Sequence, residues 1–525
     1  MRLDALPHKQ GMVVMACYMC IGRFMLVAAM IGVVPGKAIA APTETLRVAI
    51  STDPDTLDPL SSYLPISSTV DELLFDGLFT FDAKNNVVKD LATDFTYSAD
   101  GKILTVKMVT GRRFASGAPL NAAAVAASFN RLLDPANGSI YLGLYKFLGE
   151  VKAVGDDTVE FHLTEPNGHV PFLLAGSAGS IVEVGAAKTL GTEFSRHPVG
   201  SGPYVVKDYI GGERFTLVPN PNYTGPRPAR LEKIEFVTTP EDGSRMALIE
   251  TGDVDIVERV PPESIPTLNA LPHAAALVAP SMFSINAEAV LRGPLLDKRV
   301  REALNISVDR DGITKGVLGG LGTPSVGFVG PGTQDALRKT FAPLPYDPQK
   351  AKALLAEAGY KPGQLSLTVT CPVGRYIKDA QVCQALQGQW QAIGINVKAD
   401  VIDRGTWLKT IGLPPEQRKD NLALVGRGTA GMDYTLYRLF YTGVSTNRTD
   451  FSNPRVDELL TKGRATTDLS EQARIYGEIQ KIIWNDQPFV FLWYQNQVFG
   501  VSKAVSGFQA RLDEVMFFDD ISVKR

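Results

Sequence analysis

The amino-acid sequence predicts an α/β protein that is divided into several domains. The chain has 525 residues, 45% of them hydrophobic and 21% charged, so it has a globular composition but is too long for a single hydrophobic core. Within residues 365–401, strand and helix patterns alternate, as they do in a parallel sheet covered by helices. The net charge of −3 and the lack of a long basic run argue against a nucleic-acid partner.

The N-terminal segment has the pattern of a signal peptide. Arg23 precedes the apolar run 24–34, which is too short to span a bilayer, and Ala38-Ile-Ala40 has the small residues of a cleavage site. We therefore expect removal of this leader before Ala41 and export of the mature protein to the periplasm. The sequence leaves open a later start codon and a lipid anchor on Cys17.

Apolar alternation and turn formers predict the elements of the first half of the mature chain. Strands are expected at 45–51, between 88 and 107, and at 157–163, 200–206, 214–223, 233–237 and 253–257. Helices are expected at 71–79, after Asn121, and at 244–251. Asn121 is a good helix N-cap, and Asp134-Pro135 should stop the helix that it begins.

Capping residues mark the helices of the second half. Asp297 and the pair Asp347-Pro348 are expected to begin two helices, because Asp accepts from the free N–H groups of the first turn and Pro fits the first helical position. Asn453-Pro454 and Asp468 are expected to begin two more. The unbroken apolar run 489–494 predicts a buried strand.

The most informative stretch runs from Cys371 to Cys383. It begins at the end of a predicted strand, 365–369, and leads into a predicted helix that precedes another strand, 395–401. A strand–loop–helix–strand order predicts a parallel pair with a right-handed crossover. In open α/β sheets, ligands bind beyond the carboxyl ends of the strands. We therefore expect the loop to face a ligand cleft and Arg375 to be the cation in it.

The two cysteines of this stretch form an even pair in a chain that we expect to be exported. Such a pair favours a disulfide between Cys371 and Cys383, and the alternative is two reduced, buried thiols. Their spacing is not that of a metal site.

The sequence carries no recognisable catalytic or cofactor motif. It contains no P-loop, no H-E-x-x-H and no G-x-S-x-G, and the histidines of the mature chain are scattered. We therefore expect no metal, no cofactor, no catalytic residue and no enzymatic activity.

Several short motifs, taken in order, resemble family 5 of the extracellular solute-binding proteins of ABC importers, the group of oligopeptide- and dipeptide-binding proteins. The resemblance covers nearly all of the mature chain. The matching segments are Asp53-Pro-Asp-Thr-Leu-Asp-Pro59, Leu73-Leu-Phe-Asp-Gly-Leu78, Phe114-Ala-Ser-Gly-Ala-Pro-Leu120, Gly200-Ser-Gly-Pro-Tyr204, Asn220-Pro-Asn-Tyr223 and Asp297-Lys-Arg-Val-Arg-Glu-Ala-Leu304.

The resemblance implies a periplasmic binding protein-like fold, with two lobes that close by a hinge around the ligand and a small inserted α+β domain, three domains in all. The implied limits are 1–40 for the signal peptide, 41–85, 197–283 and 489–525 for lobe I, 86–196 for the inserted domain II, and 284–488 for lobe III.

The resemblance also implies ligand-binding residues. Arg375 matches an Arg that pairs with the ligand carboxylate, and Asp433 matches an Asp that holds a peptide's α-ammonium group. Trp407 matches an aromatic residue that lines the cleft, Tyr434 follows Asp433, and Tyr63 is a candidate on lobe I. The alternatives are an exposed loop Arg, a helix-capping Asp and a core Trp.

Arg427 stands where peptide binders usually carry Trp after Gly. An arginine here could favour an anionic or sugar-phosphate ligand, or it could point into solvent.

The resulting hypothesis is a monomeric periplasmic component of an ABC importer that captures a peptide or peptide-like solute and delivers it to the membrane permease. The alternatives are an opine, a glycoside or sugar-phosphate conjugate, a haem or metal complex, and a secreted hydrolase. The sequence does not name the solute or the permease.

Overall fold

A computed structural model describes residues 44–62, 64–331, 339–428 and 431–524. The expected signal peptide and Tyr63 lie outside the described residues. Strands and helices alternate through the described part, so the predicted α/β class is confirmed. No helix within these ranges is both long and apolar enough to cross a membrane.

The first large sheet has seven strands and forms the core of lobe I. Its central strand, Thr45–Ile50, pairs in parallel with strands on both sides because long crossovers return the chain to the same edge. In spatial order its strands are Tyr204–Ile210, Arg214–Pro219, Lys233–Thr238, Thr45–Ile50, Ile256–Glu258, Gln497–Ser502 and Ala274–Ala279.

The second large sheet has six strands and forms the core of lobe III. The predicted βαβ unit is confirmed: Ser366–Pro372 pairs in parallel with Asn396–Ile402, and helix Asp379–Ala392 connects them. In spatial order its strands are Gly322–Pro324, Phe489–Gln495, Ser284–Ala289, Leu422–Arg427, Ser366–Pro372 and Asn396–Ile402.

The inserted part of the chain has a core of its own. Four antiparallel strands carry helix Ala122–Leu133 on one face, and Asn121 caps this helix as predicted by accepting from the Ala124 N–H at 3.1 Å. In spatial order the strands are Ala92–Tyr97, Ile103–Met108, Thr158–Leu163 and Leu148–Val154.

The remaining elements cover the sheets. The other principal helices are Pro65–Leu74, Val184–Leu190, Asp242–Thr251, Ile265–Ala270, Lys298–Ile306, Pro348–Glu357, Arg404–Gly412, Met432–Phe440, Pro454–Ala465 and Leu469–Asp486. Short strand pairs are Phe79–Phe81 with Val87–Lys89, Arg112–Arg113 with Pro119–Leu120, Val505–Ser506 with Ser522–Val523, and Gln509–Ala510 with Met516–Phe517.

The helix expected at 71–79 was placed wrongly. It spans Pro65–Leu74 and has Pro at its first position, and the chain is already extended at Phe75. Leu64 precedes it without a side-chain cap, so the usual polar start signal is missing.

The two large sheets are joined by two short crossings. Residues 280–283 connect strand Ala274–Ala279 to Ser284–Ala289, and residue 496 connects Phe489–Gln495 to Gln497–Ser502. The crossings touch, since the Gln495 N–H donates to the Phe283 carbonyl at 2.9 Å. The domain limits stay a prediction, and the pairing of Phe489–Gln495 in the six-stranded sheet favours ending lobe III at residue 495.

The predicted disulfide is present between Cys371 and Cys383, both of which are fully buried. It ties the end of strand Ser366–Pro372 to the helix that follows. Because the bond restricts the unfolded chain over a separation of 12 residues, its reduction is expected to lower the free energy of unfolding by about 3 kcal/mol. Urea unfolding with and without reductant measures this loss.

The control for that experiment is the double variant Cys371→Ala/Cys383→Ala, whose unfolding midpoint should no longer respond to reductant. A wild-type midpoint that is the same with and without reductant would contradict the stabilising role of the disulfide.

Candidate functional site

The loop 373–378, called the focal loop below, is held in one conformation by a buried carboxylate. Asp379 begins the following helix, and its side chain accepts from the backbone N–H groups of Gly374, Arg375 and Tyr376 at 3.2, 2.8 and 3.0 Å. A carboxylate with several N–H donors is a strong local anchor. The loop is therefore ordered before any ligand arrives.

The focal loop of lobe III also contacts lobe I and the hinge. Lys378 forms an ion pair with Glu263 at 3.1 Å, and the Ile377 N–H donates to the side chain of Gln495 at 3.3 Å. The loop therefore contacts the part of the chain that carries the seven-stranded sheet and one of the crossings between the two large sheets.

The guanidinium of Arg375 is half-buried and lies against aromatic rings. It is 5.0 Å from the ring centre of Tyr376 and 5.6 Å from that of Phe283, distances at which a cation is attracted by the ring faces. Among the described residues, no side-chain or backbone oxygen forms a hydrogen bond or ion pair with this guanidinium. Its planar donor fork is therefore free for an anionic group.

A carboxylate of lobe I is within electrostatic reach of Arg375. Burial raises the pKa of Glu514, while Arg259 and Arg375 act against that rise. Glu514 has a left-handed backbone, with φ of 69°, in the turn between strands Gln509–Ala510 and Met516–Phe517. The surroundings of Arg375 thus include a carboxyl group as well as aromatic rings.

Tyr376 connects the focal loop to the neighbouring strand. Its hydroxyl accepts from the Gly426 N–H at 2.8 Å, and its ring packs edge-on against Trp407 at 6.0 Å. Position 426 needs glycine, because a Cβ there would lie 2.2 Å from the Phe283 ring. Trp407 is only 2% exposed, so it supports Tyr376 from the core of lobe III.

Arg427 is already paired. Its guanidinium donates two hydrogen bonds, at 2.6 and 2.7 Å, to the carboxylate of Glu288, which is 1% exposed. Burial alone would lower the pKa of Arg427, but Glu288 raises it above its usual value. The positive charge at this position is neutralised within the protein, which weakens the argument for an anionic or sugar-phosphate ligand.

Asp433 is paired as well. It lies in the first turn of helix Met432–Phe440, is 4% exposed, and accepts from the Arg464 guanidinium at 2.9 and 3.0 Å. Its other oxygen accepts from the Tyr476 hydroxyl at 3.0 Å. Gly431, not Asp433, is the helix N-cap residue. Both carboxylate oxygens are therefore occupied by groups of lobe III.

The predicted site residues thus fall into two groups. Arg375, Trp407 and Arg427 gather around Tyr376 and the focal loop. Asp433 and Tyr434 lie on helix Met432–Phe440, where the Tyr434 hydroxyl accepts from Arg438 at 3.0 Å.

Sequence reasoning missed Phe283, Tyr376 and Glu514. Tyr376 stands beside Arg375 in the focal loop, so its position was a signal that could have been used. Phe283 and Glu514 are far from the loop in sequence and carry no local signal. Within the described ranges, no group of three His, Cys, Asp or Glu side chains is arranged to hold a metal ion.

Comparison with known protein families shows to which family the chain belongs. Residues 86–448, more than half of the chain, match the family model described as bacterial extracellular solute-binding proteins, family 5. The chain belongs to this family. A family 5 solute-binding protein has the predicted two-lobe fold, which is thereby confirmed.

Two relatives show how far the similarity extends. This family 5 protein is 30% identical to the glutathione-binding protein GsiB of Escherichia coli O1:K1, over 91% of its own length and 94% of that protein. The periplasmic binding protein DppA of Helicobacter pylori, solved with the peptide STSA, superposes with a TM-score of 0.76 at 23% identity, covering 92% of this chain and 98% of that one.

A third relative was solved with a ligand that is not a peptide. The binding protein AgaA of A. tumefaciens R10, in complex with agropinic acid, superposes with a TM-score of 0.73 at 25% identity, covering 92% of this chain and 99% of that one. Like the other two, it is named as a binding protein and not as an enzyme.

Proposed function

We propose that this family 5 protein is the periplasmic solute-binding component of an ABC importer and that it captures a peptide or peptide-like solute bearing a carboxylate. The observation that carries the proposal is the free guanidinium of Arg375, held in an ordered loop between the lobes. A guanidinium binds a carboxylate through two parallel hydrogen bonds and stays charged at any physiological pH. The similarity to a glutathione-binding protein supports a short peptide as the solute.

In the peptide binders that the chain resembles, the Asp that matches Asp433 holds the α-ammonium group of the solute. We propose a different arrangement for this protein. Both oxygens of Asp433 already accept hydrogen bonds within the protein, from Arg464 and from Tyr476. A solute therefore needs a carboxylate for Arg375, while an α-ammonium group at Asp433 is not required. Glu514 is the acid that we expect to meet a positively charged group.

The free guanidinium of Arg375 is also compatible with a second class of solute, an opine. An opine carries carboxylates without being an ordinary peptide, and the likeness to AgaA supports this class. In either case we propose a monomer that works with importer permease subunits, uses no nucleic acid or cofactor, and performs no catalysis.

Matched ligands test the proposal by thermal unfolding. The panel contains glutathione, di- to pentapeptides, agropinic acid, and for each active peptide its C-terminal amide and its N-acetyl form. A solute that binds only the folded protein adds about 2.7 kcal/mol of stability at one hundred times its Kd. We expect amidation of the carboxylate to abolish the shift and acetylation of the amine to leave most of it.

The outcomes separate the candidates. No shift with any peptide or with glutathione would count against a peptide solute, and a shift with agropinic acid alone would favour an opine. A shift that is lost on acetylation but kept on amidation would overturn the assignment of the carboxylate to Arg375. Turnover of a peptide by the pure protein would refute the binding-only function.

A further inference from the structure

Domain II touches lobe III through a short segment, 165–172. The Gly168 N–H donates to the carbonyl of Arg464 at 3.0 Å, and Glu165 lies 3.9 Å from the Arg464 guanidinium. A Cβ at position 168 would lie 2.0 Å from the Thr466 carbonyl oxygen, so only glycine permits this approach. Two domains with separate cores are thus joined by a close backbone contact.

His169 is the central side chain of this contact. It is 6% exposed and its ring stacks on Phe172 at 4.7 Å. Its Nε2 atom lies close to Gly431, where a Cβ would be only 2.2 Å away. Nε2 is buried and has no hydrogen-bond partner among the residues that the structure describes.

The surroundings of His169 do not suit a positive charge. The titratable side chains linked to this contact are Glu165 on the segment and Asp433, Tyr437, Arg464 and Tyr476 on the lobe III helices. The nearby buried carboxylate of Asp433 already accepts hydrogen bonds from Arg464 and Tyr476. Burial lowers the pKa of His169 to about 4, with Asp433 opposing the shift and Arg464 adding to it.

We propose that residues 165–172 form a clasp that holds domain II against lobe III only while His169 is neutral, so that acidification opens the protein. The clasp goes beyond the proposed function, because it acts on the closed arrangement whatever the solute is. Hinge opening would expose His169 to water, where it binds a proton near its ordinary pKa of about 6.5. The open form then binds more protons than the closed form, and acid favours it.

The size of the effect follows from the two pKa values. Well above pH 6.5 neither form is protonated at this position and the clasp has its full strength. As the pH falls from 6.5 towards 4, the closed form is progressively disfavoured. Between pH 7.5 and pH 5 the closing equilibrium should weaken about 30-fold.

Amide hydrogen exchange of the ligand-free full chain measures the clasp directly, because the Gly168 amide is protected only when the clasp is closed. Exchange is followed for the segment 165–173 and corrected for the pH dependence of intrinsic exchange. Strand Thr158–Leu163 of the same domain serves as the internal reference. We expect protection of the segment to fall about 30-fold relative to this strand between pH 7.5 and pH 5.

Three variants make the test specific. Gly168→Ala should lose protection of the segment at both pH values while the reference strand stays protected. Gly143→Ala, at a position of domain II with nothing within 4 Å of the added Cβ, should behave like wild type. His169→Phe keeps a neutral ring on Phe172, so its protection should no longer depend on pH.

Two results would overturn the proposal. One is unchanged protection of the segment in Gly168→Ala, which would mean that the clasp is not needed for it. The other is a His169→Phe protein that loses protection at pH 5 as the wild type does, since another group would then be the sensor. Neither readout requires a known solute, so both are independent of the ligand screen.

Discussion

Replacing Arg375 by alanine is expected to weaken binding of a carboxylate-bearing solute by about 10- to 150-fold. The physical reason is the loss of charge-assisted hydrogen bonds, which contribute about 1.5 to 3 kcal/mol to binding or stability. The guanidinium has no hydrogen-bond or ion-pair partner among the described residues, so its removal breaks no hydrogen bond that the structure describes. Stability should therefore change little. Isothermal titration with a solute from the thermal screen measures the affinity.

Two companion variants sharpen this result. Arg375→Lys keeps the charge but loses the planar fork, so it should fall between wild type and alanine. Arg404→Ala removes an equally charged, exposed side chain just after the neighbouring strand Asn396–Ile402 and should leave affinity unchanged. Equal affinity of Arg375→Ala and wild type would remove Arg375 from the site.

Replacing Asp433 by asparagine is expected to lower the free energy of unfolding by about 3 kcal/mol. The change keeps the shape of the side chain but leaves the Arg464 guanidinium without its carboxylate, and breaking one partner of a buried ion pair costs about 3 to 5 kcal/mol. We take the lower end because the Arg464 side chain is 21% exposed. Urea unfolding at pH 7.5 measures the loss.

The ligand-binding role that the family resemblance implies for Asp433 predicts the opposite result for the asparagine variant. If Asp433 held the solute's ammonium group, the variant would lose affinity while keeping its stability. Asp450→Asn is the matched control, since Asp450 is exposed and its left-handed backbone, with φ of 59°, suits asparagine. A control change within about 0.5 kcal/mol is expected for such a surface site.

Local signals in the sequence predicted most of the fold. Asn121, Asp297 and Asp347 each accept a hydrogen bond from the first turn of the helix that they were expected to cap. The βαβ unit around the focal loop followed from apolar periodicity and turn residues. These features depend on neighbours within a few residues, which a single sequence displays.

The site was harder to predict than the fold, because the residues that pair with its side chains are distant in sequence. Arg427 and Glu288 are 139 residues apart and Asp433 and Arg464 are 31 apart, so no local pattern reveals that these charges are neutralised. His169 and Gly431 come from different domains. The resemblance supplied the candidate residues, but only the folded chain shows which of them are occupied by other protein groups.

The order of strands in the first large sheet has a consequence for how the protein forms. Strand Gln497–Ser502 lies between Ile256–Glu258 and Ala274–Ala279, and among the described strands it is the only one that pairs with the latter. The strands of the six-stranded sheet all lie within residues 284–495, so this sheet can assemble from one continuous segment. The seven-stranded sheet cannot be completed before strand Gln497–Ser502 has been synthesised. The pairing of this strand is therefore long-range and slow. Until strand Gln497–Ser502 has been synthesised, the chain carries two unpaired strand edges, which are the surfaces on which aggregation begins and which a chaperone would have to shield.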